Sequence, residues 1–367
     1  MEKKLLFIQP IVSHYRKSVV KEISLLAPKS IFWGTANYQG VEPLMGLKNV
    51  DNSFETININ IFGLKLIWYK NMLSHFFKND SNYIILSGIN PMLIQTFLIF
   101  TITKLFKKKK VYWWSQGKRF RQGFLGKKFR YIFYKYSDGV FLYSKQGKNN
   151  FLIEGIPNHK LHVINNCLNY EDYGWLNYKL KDLNKKKKDF RIIYTGRLSE
   201  RKKINILLEA FKIIKDKGVE NIFLDIIGDG IQKEKLVNYS TENGLADFVH
   251  FHGAKYGLDV HKFFLNGDLV VCPGAVGLSI VHSFSFGLPF ITGEGDSEHS
   301  SEIEILEVGK NGDYFLLDNK ESLADIILKW KEKINKNKIE YIENCIQSVI
   351  KHEYLPNIVA HKLIKAL

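Results

Sequence analysis

The stretch from Leu269 to Ile291 constrains the fold of this chain more than any other. Leu269, Val270 and Val271 form a short apolar run, CPGAVGL follows as a glycine-bearing loop, and Ser279 to Phe286 continues with neither glycine nor proline. This spacing predicts strand, loop and helix in turn. Gly287 and Pro289 stop the helix, and Phe290 and Ile291 open another strand. Pro273 ends the first strand, while Gly274 and Gly277 let the backbone approach a ligand, so the N–H groups of the first helical turn face whatever lies there. An ordinary βα turn of a parallel sheet reads the same way on this stretch alone, and the neighbouring loops decide between the two.

Strand and helix patterns alternate along the chain in two series. In the first half, strands are predicted at Leu5–Ile8, Ser30–Trp33, Thr56–Ile59, Tyr83–Leu86, Val111–Trp114, Gly139–Tyr143 and His162–Ile164. Helices are predicted over Tyr15–Leu26, Lys65–Phe77 and Met92–Phe106. The last is very apolar, but about 15 residues fall short of the roughly 20 that a membrane span needs, and Gln95 interrupts it. It reads as a buried crossover helix. The lysine run Lys185–Lys188 marks a linker, after which the pattern restarts with strands at Phe190–Tyr194, Ile222–Ile227 and Phe248–Phe251 and helices at Ile204–Lys217, Gln232–Glu242 and Val260–Leu265. Two doubly wound α/β domains follow, with ligands expected outside the carboxyl ends of the strands and a cleft where the domains face one another. The expected boundaries are 1–184, 185–340 and a helical segment 341–367 packing back on the first domain.

A length of 367 residues suits two such domains. Cys167, Cys272 and Cys345 are widely spaced and odd in number, which fits a reducing compartment and excludes a disulfide framework. The N-terminus has too short an apolar core for a signal peptide, so a cytoplasmic location is expected. A net charge of +16 calls for an anionic partner: nucleic acid, a membrane surface or a phosphorylated substrate. The charge concentrates from Lys118 to Tyr136, where seven cations interleave with aromatic residues and no acidic residue intervenes. That segment is expected to dock on an anionic membrane. A helix-turn-helix, zinc or base-stacking signature is missing, and nucleic acid is not expected as a partner.

Three further loops carry chemistry. YTGRLSERKK places Arg197 and Lys202 beyond a strand end, where cations can clamp a diphosphate; IIGDG and FHGAKYG follow later strands. Taken in this order with the central stretch, the chain resembles the retaining GT-B glycosyltransferases, in particular glycosyltransferase family 4. The resemblance covers the second half through its motifs and the first half through its layout alone. It implies a GT-B fold and transfer of a sugar from a nucleotide-sugar donor. It further implies that Arg197 and Lys202 bind the diphosphate, that the loops at Gly196, Gly228 and Gly253 border the nucleotide, and that Gly274 and Gly277, Leu278 and Ser279 cover the phosphates and sugar. No cofactor or metal is expected, because cations and helix N-termini neutralise the leaving group.

One departure from that family matters. Its central motif typically carries two glutamates, and Gly274 and His282 occupy those positions here. An imidazole facing the donor and a histidine packed in the helix are both open readings of His282, and Glu302, after Glu294 and His299, is a candidate for the lost sugar contacts. In the first half Gln116 ends a strand and is read as facing the acceptor or the sugar. Tyr15, Arg16 and Lys118 are placed on the acceptor side, with a plain surface cation as the alternative for Arg16. The expected acceptor is a glycan or lipid-linked glycan of cell-surface polysaccharide (lipopolysaccharide, capsule or O-antigen). A GT-B epimerase or phosphorylase is the alternative enzyme, and the acid–base carboxylates or cofactor lysine it needs are not evident.

Overall fold

The computed structural model describes residues 2–38, 41–61, 64–106, 109–117, 124–184 and 188–367. Contacts divide the chain into Met1–Asn169 with Pro356–Leu367 and, separately, Tyr170–Leu355.

The first unit holds β1 (Leu5–Ile8), α1 (Lys17–Leu26), β2 (Ile31–Thr35), β3 (Val50–Phe54), β4 (Thr56–Ile61), β5 (Leu64–Tyr69), α2 (Met72–Lys78), β6 (Tyr83–Ser87), α3 (Ile94–Phe106), β7 (Lys110–Ser115), α4 (Phe124–Tyr136), β8 (Gly139–Leu142), α5 (Lys145–Ile153) and β9 (Leu161–Val163). Its sheet is parallel in the order β3-β2-β1-β6-β7-β8-β9. Leu5 to Ile8 are fully buried, as expected where helices cover both faces of a parallel sheet and strands become continuous apolar runs. One core gathers Leu6, Ile84, Trp113 and Val140, and the other gathers Phe7, Ile85, Trp114 and Phe141. α3 is the expected crossover helix, but only one face of it is buried: Ile99, Phe100 and Thr103 face the core, whereas Leu98, Leu105 and Phe106 are exposed. Its Gln95 is buried and brackets the Tyr69 backbone, Oε1 accepting from the Tyr69 N–H and Nε2 donating to the Tyr69 carbonyl.

The predicted helix over 65–77 is instead a strand followed by a helix. β4 and β5 pair antiparallel with Thr56 opposite Tyr69, and α2 begins only after Asn71 takes a left-handed φ of 62°. Isoleucines at 57, 59 and 61 alternate along β4, which is the period of a strand.

The second unit holds α6 (Gly174–Asn177), α7 (Leu180–Leu183), β10 (Phe190–Thr195), α8 (Ile204–Asp216), β11 (Ile222–Ile227), α9 (Lys233–Glu242), β12 (Val249–Phe251), α10 (Leu258–Asn266), β13 (Leu269–Cys272), α11 (Ser279–Ser285), β14 (Phe290–Gly293), β15 (Gly312–Phe315) and α12 (Lys320–Lys351). Its parallel sheet runs β12-β11-β10-β13-β14-β15. Residues 170–184, which the lysine run had assigned to the first domain, go with this unit because they pack on α11: Ser285 Oγ donates to the Asp172 carbonyl at 3.0 Å. The last helix, α13 (Pro356–Lys365), returns to the first unit and packs on α1. Among the described residues no helix is long and apolar enough to cross a membrane.

Candidate functional site

In its own numbering the strand order of the second unit is 3-2-1-4-5-6, so the winding direction reverses between β10 and β13. Loops leaving two neighbouring strands in opposite directions open a crevice at such a point. The loops there are tied to one another through the backbone. The Gly196 N–H donates to the Ile227 carbonyl at 3.0 Å, the Leu198 N–H to Asp229 at 2.8 Å and the Gly228 N–H to Gly253 at 2.9 Å. On the other side, Gly274 and Ala275 donate to the carbonyls of Lys202 and Arg201 at 3.2 and 3.0 Å. All four loop motifs therefore converge. Two glycines make this possible: a Cβ on Gly228 would lie 1.9 Å from the Gly196 oxygen, and one on Gly274 would lie 2.2 Å from the Arg201 oxygen. Gly277, half-buried at the start of α11, would meet no protein atom within 4 Å.

The two expected cations differ in setting. Arg197 is exposed on the loop after β10, and its carbonyl accepts from the Tyr194 hydroxyl at 3.0 Å. Lys202 is buried, and its ammonium donates to the Ala275 carbonyl inside the central loop. Burying that ammonium locks the cation against the start of α11, whose first turn carries no acidic residue. Leu278 and Ser279 are half-buried there, and the Ser279 hydroxyl is buried with no hydrogen-bond partner.

His299 holds the central loop from behind. Its Nδ1 accepts from the Val276 N–H at 3.1 Å and its Nε2 lies 2.8 Å from the Gly293 carbonyl, an arrangement that requires the neutral Nε2–H tautomer. Burial lowers its pKa, in keeping with that form. The sequence signals only that a histidine lies near; the backbone atoms it bonds come together through the fold. Glu302 is buried in a short 3-10 turn, and Glu294 is exposed. Burial pushes the Cys272 thiol up, so a thiolate nucleophile is disfavoured.

His282 sits in an aromatic setting. Its ring centroid is 4.3 Å from that of Phe264, 5.5 Å from Phe286 and 6.1 Å from His261. Burial, partly opposed by the charge of Asp172, lowers its pKa to about 4. Asp172, His261 and His282 also bring one potential metal-ligand atom each within 4.8 Å of one another, with His261 Nε2 3.5 Å from Asp172 Oδ1 and the Tyr178 hydroxyl 3.3 Å from His261 Nδ1. Asp225, His250 and His252 form a second such group, but there Asp225 is held by Arg191 at 3.0 Å and His252 at 2.7 Å.

The first unit repeats the topology. Apart from the β4–β5 hairpin, the order in which strands are added to its parallel sheet reverses between β1 and β6, and a pocket of about 380 Å³ opens there. Tyr15 and Arg16 line it together with Gln116, a hundred residues further along the chain. Lys118 lies outside the described residues. Gln116, grouped with Arg197, Lys202 and His282 as a catalytic candidate, thus belongs to the first unit, whereas those three belong to the second.

Residues 178–347 match the family of glycosyl transferases group 1. The chain is 24% identical over 196 residues to the amylovoran biosynthesis glycosyltransferase AmsK of Erwinia amylovora, an alignment covering 51% of this chain and 46% of that protein. The match thus spans less than half of that relative's length. Among solved structures, HepE of Anabaena in complex with UDP superposes with a TM-score of 0.71 at 16% identity, covering 99% of this chain and 98% of that one. The lipopolysaccharide outer core galactosyltransferase WaaB superposes with a TM-score of 0.67 at 15% identity over 99% and 98%. These likenesses give the fold: GT-B, with two Rossmann-like halves.

Proposed function

We propose that this chain is a glycosyltransferase that moves a sugar from a nucleotide-sugar donor to a glycan or lipid-linked acceptor in cell-surface polysaccharide synthesis. The observation that carries the reading is the convergence of four loops at the β10–β13 switch point, where the buried Lys202 ammonium of one loop is held by the Ala275 carbonyl of the central one. The family match over residues 178–347 covers the same stretch, and the names of AmsK and WaaB point toward polysaccharide and lipopolysaccharide. HepE was crystallised with UDP, which supports a uridine nucleotide as the first donor to try.

In this reading the acceptor oxygen bonds to the sugar carbon on the same face from which the bond to the donor diphosphate breaks, so configuration is retained, and the hydroxyl proton leaves with the diphosphate. Negative charge develops on the departing phosphate, and fixed donors aimed at that charge stabilise it. Arg197, Lys202 and the first turn of α11 with the Ser279 hydroxyl supply those donors, so no metal is required. Gly228 and Gly253 border the nucleotide, Gly274, Gly277 and Leu278 approach the phosphates and sugar, and His282 stands where a carboxylate would hold the donor. Tyr15, Arg16 and Gln116 serve the acceptor. α4 serves a peripheral membrane contact at the cytoplasmic face: Lys127 and Lys128 are exposed beside Phe129 and Ile132, while Phe133 packs inward on Phe97 and Phe100.

Thermal shift with a panel of nucleoside diphosphates and their sugars tests the donor assignment. A bound donor at a hundred times its Kd stabilises the fold by about 2.7 kcal/mol, and no stabilisation by any of them overturns the reading. Charge reversal at Lys127, Lys128 and Arg130 is expected to abolish sedimentation with anionic liposomes at low salt; equal sedimentation of variant and parent removes the membrane contact.

A further inference from the structure

The switch-point pocket of the first unit holds a cation with no counter-charge. Arg16 lies with its guanidinium carbon 4.7 Å from the Trp114 ring centroid, one terminal nitrogen donating to Gln9 Oε1 at 3.2 Å and the other to the Tyr143 hydroxyl. Both partners are neutral. Among the described residues no carboxylate lies within ion-pair distance of it, and none lines the pocket. A guanidinium has five N–H donors, and two are engaged here. Charges withdrawn from water are ordinarily paired, and a planar fork held by two neutral groups over an indole is preorganised for a two-oxygen anion.

The walls agree with an anionic sugar. Tyr15, Trp114 and Tyr143 supply ring surface, and the Trp114 indole N–H and the Ser87 hydroxyl, both of pocket-lining residues, are buried without a hydrogen-bond partner. A volume of about 380 Å³ accommodates one or two sugar residues. We infer that this pocket binds a sugar bearing an oxyanion, a carboxylate or a phosphate ester, with Arg16 as its counter-ion. Calling that sugar the acceptor rests on the glycosyltransferase reading, whereas the charge preference rests on the pocket alone.

Titration calorimetry on the full chain separates the two. The probes are p-nitrophenyl β-D-glucuronide against p-nitrophenyl β-D-glucoside for a carboxylate, and glucose 1-phosphate against glucose for a phosphate, with UDP titrated into the same wild-type sample. At least one charged probe is expected to bind about tenfold tighter than its neutral partner, and the pair that shows the difference identifies the oxyanion. Arg16→Gln should erase that difference and Arg16→Lys, which keeps charge without the fork, should retain part of it. If Arg16→Gln does not fold, the wild-type pairs and Arg16→Lys still decide. Equal binding of charged and neutral probes by the wild type, including none of either, or a difference that survives in Arg16→Gln, overturns the inference. UDP binding in that case leaves the donor reading standing, and its failure removes that reading separately.

Discussion

Both units put a pocket or loop cluster where their strand order reverses, but they build it from different materials. At β10–β13 the backbone does the work: loops are joined N–H to carbonyl, and Gly228 and Gly274 bring main chains closer than any side chain would allow. At β1–β6 side chains form the walls, with Trp114, Tyr143 and Arg16 from three separate segments meeting around one space. A backbone-built site suits a ligand part that never varies, such as a diphosphate. A side-chain-built pocket can be recut residue by residue, which suits the partner that differs between related enzymes.

The sharpest way to break this contrast is to add methyl groups to the backbone-built site. Gly228→Ala and Gly274→Ala are each expected to cost about 2–4 kcal/mol in denaturant unfolding, because the new Cβ meets rigid main chain. Gly277→Ala should stay within about 0.5 kcal/mol of the parent, since its Cβ meets no protein atom, yet it should weaken UDP binding if the ligand fills that space. A Gly277→Ala variant as unstable as the other two would end the distinction between glycines needed by the fold and glycines needed by the ligand.

The same contrast governs which features are legible in the sequence. Ile222–Ile227 is recognisable with its final bounds because a strand buried on both faces reads as an apolar run between turn residues, interrupted here by Asp225 alone. The four loop motifs are legible for a related reason: glycine at a strand end answers a backbone requirement that no side chain can meet. The β4–β5 hairpin is not, because Leu66, Tyr69, Leu73 and Phe76 recur every three or four residues and satisfy the helical period equally well. Tyr15, Arg16 and Gln116 stand out one at a time at strand ends, but the neutrality of the partners of Arg16 depends on Gln9 and Tyr143, and no local pattern announces that. His299 is hidden likewise, because the Val276 N–H and Gly293 carbonyl that it bridges are brought together by tertiary structure.

His282 offers a second test, of middling size. Its folded pKa of about 4 lies below the ordinary histidine value, so between the two the unfolded chain binds a proton that the folded chain does not. The neutral ring therefore stabilises fully above about pH 6.5, and that stability is lost as pH falls toward 4, by about 1–3 kcal/mol for a ring that keeps some solvent contact. His282→Gln should flatten the fall in melting temperature over this range relative to the parent. An unchanged slope would show that the ring is not held neutral by its surroundings. Turnover per folded molecule, measured on the same variant, reports whether the imidazole also serves the donor.

The smallest expected effect separates the two cations of the backbone-built site. Arg197 is exposed, so Arg197→Ala should leave the unfolding midpoint where it is and weaken UDP by about tenfold, or 1.4 kcal/mol. Lys202 is buried on the Ala275 carbonyl, and Lys202→Ala leaves that oxygen without its donor and the loop without its clamp. It should therefore lose UDP affinity and about 1–2 kcal/mol of stability together. Calorimetric UDP titrations paired with urea unfolding of both variants distinguish these cases. If Arg197→Ala binds UDP like the parent, the exposed arginine is a surface charge, and Lys202 with the first turn of α11 must hold the phosphate without it.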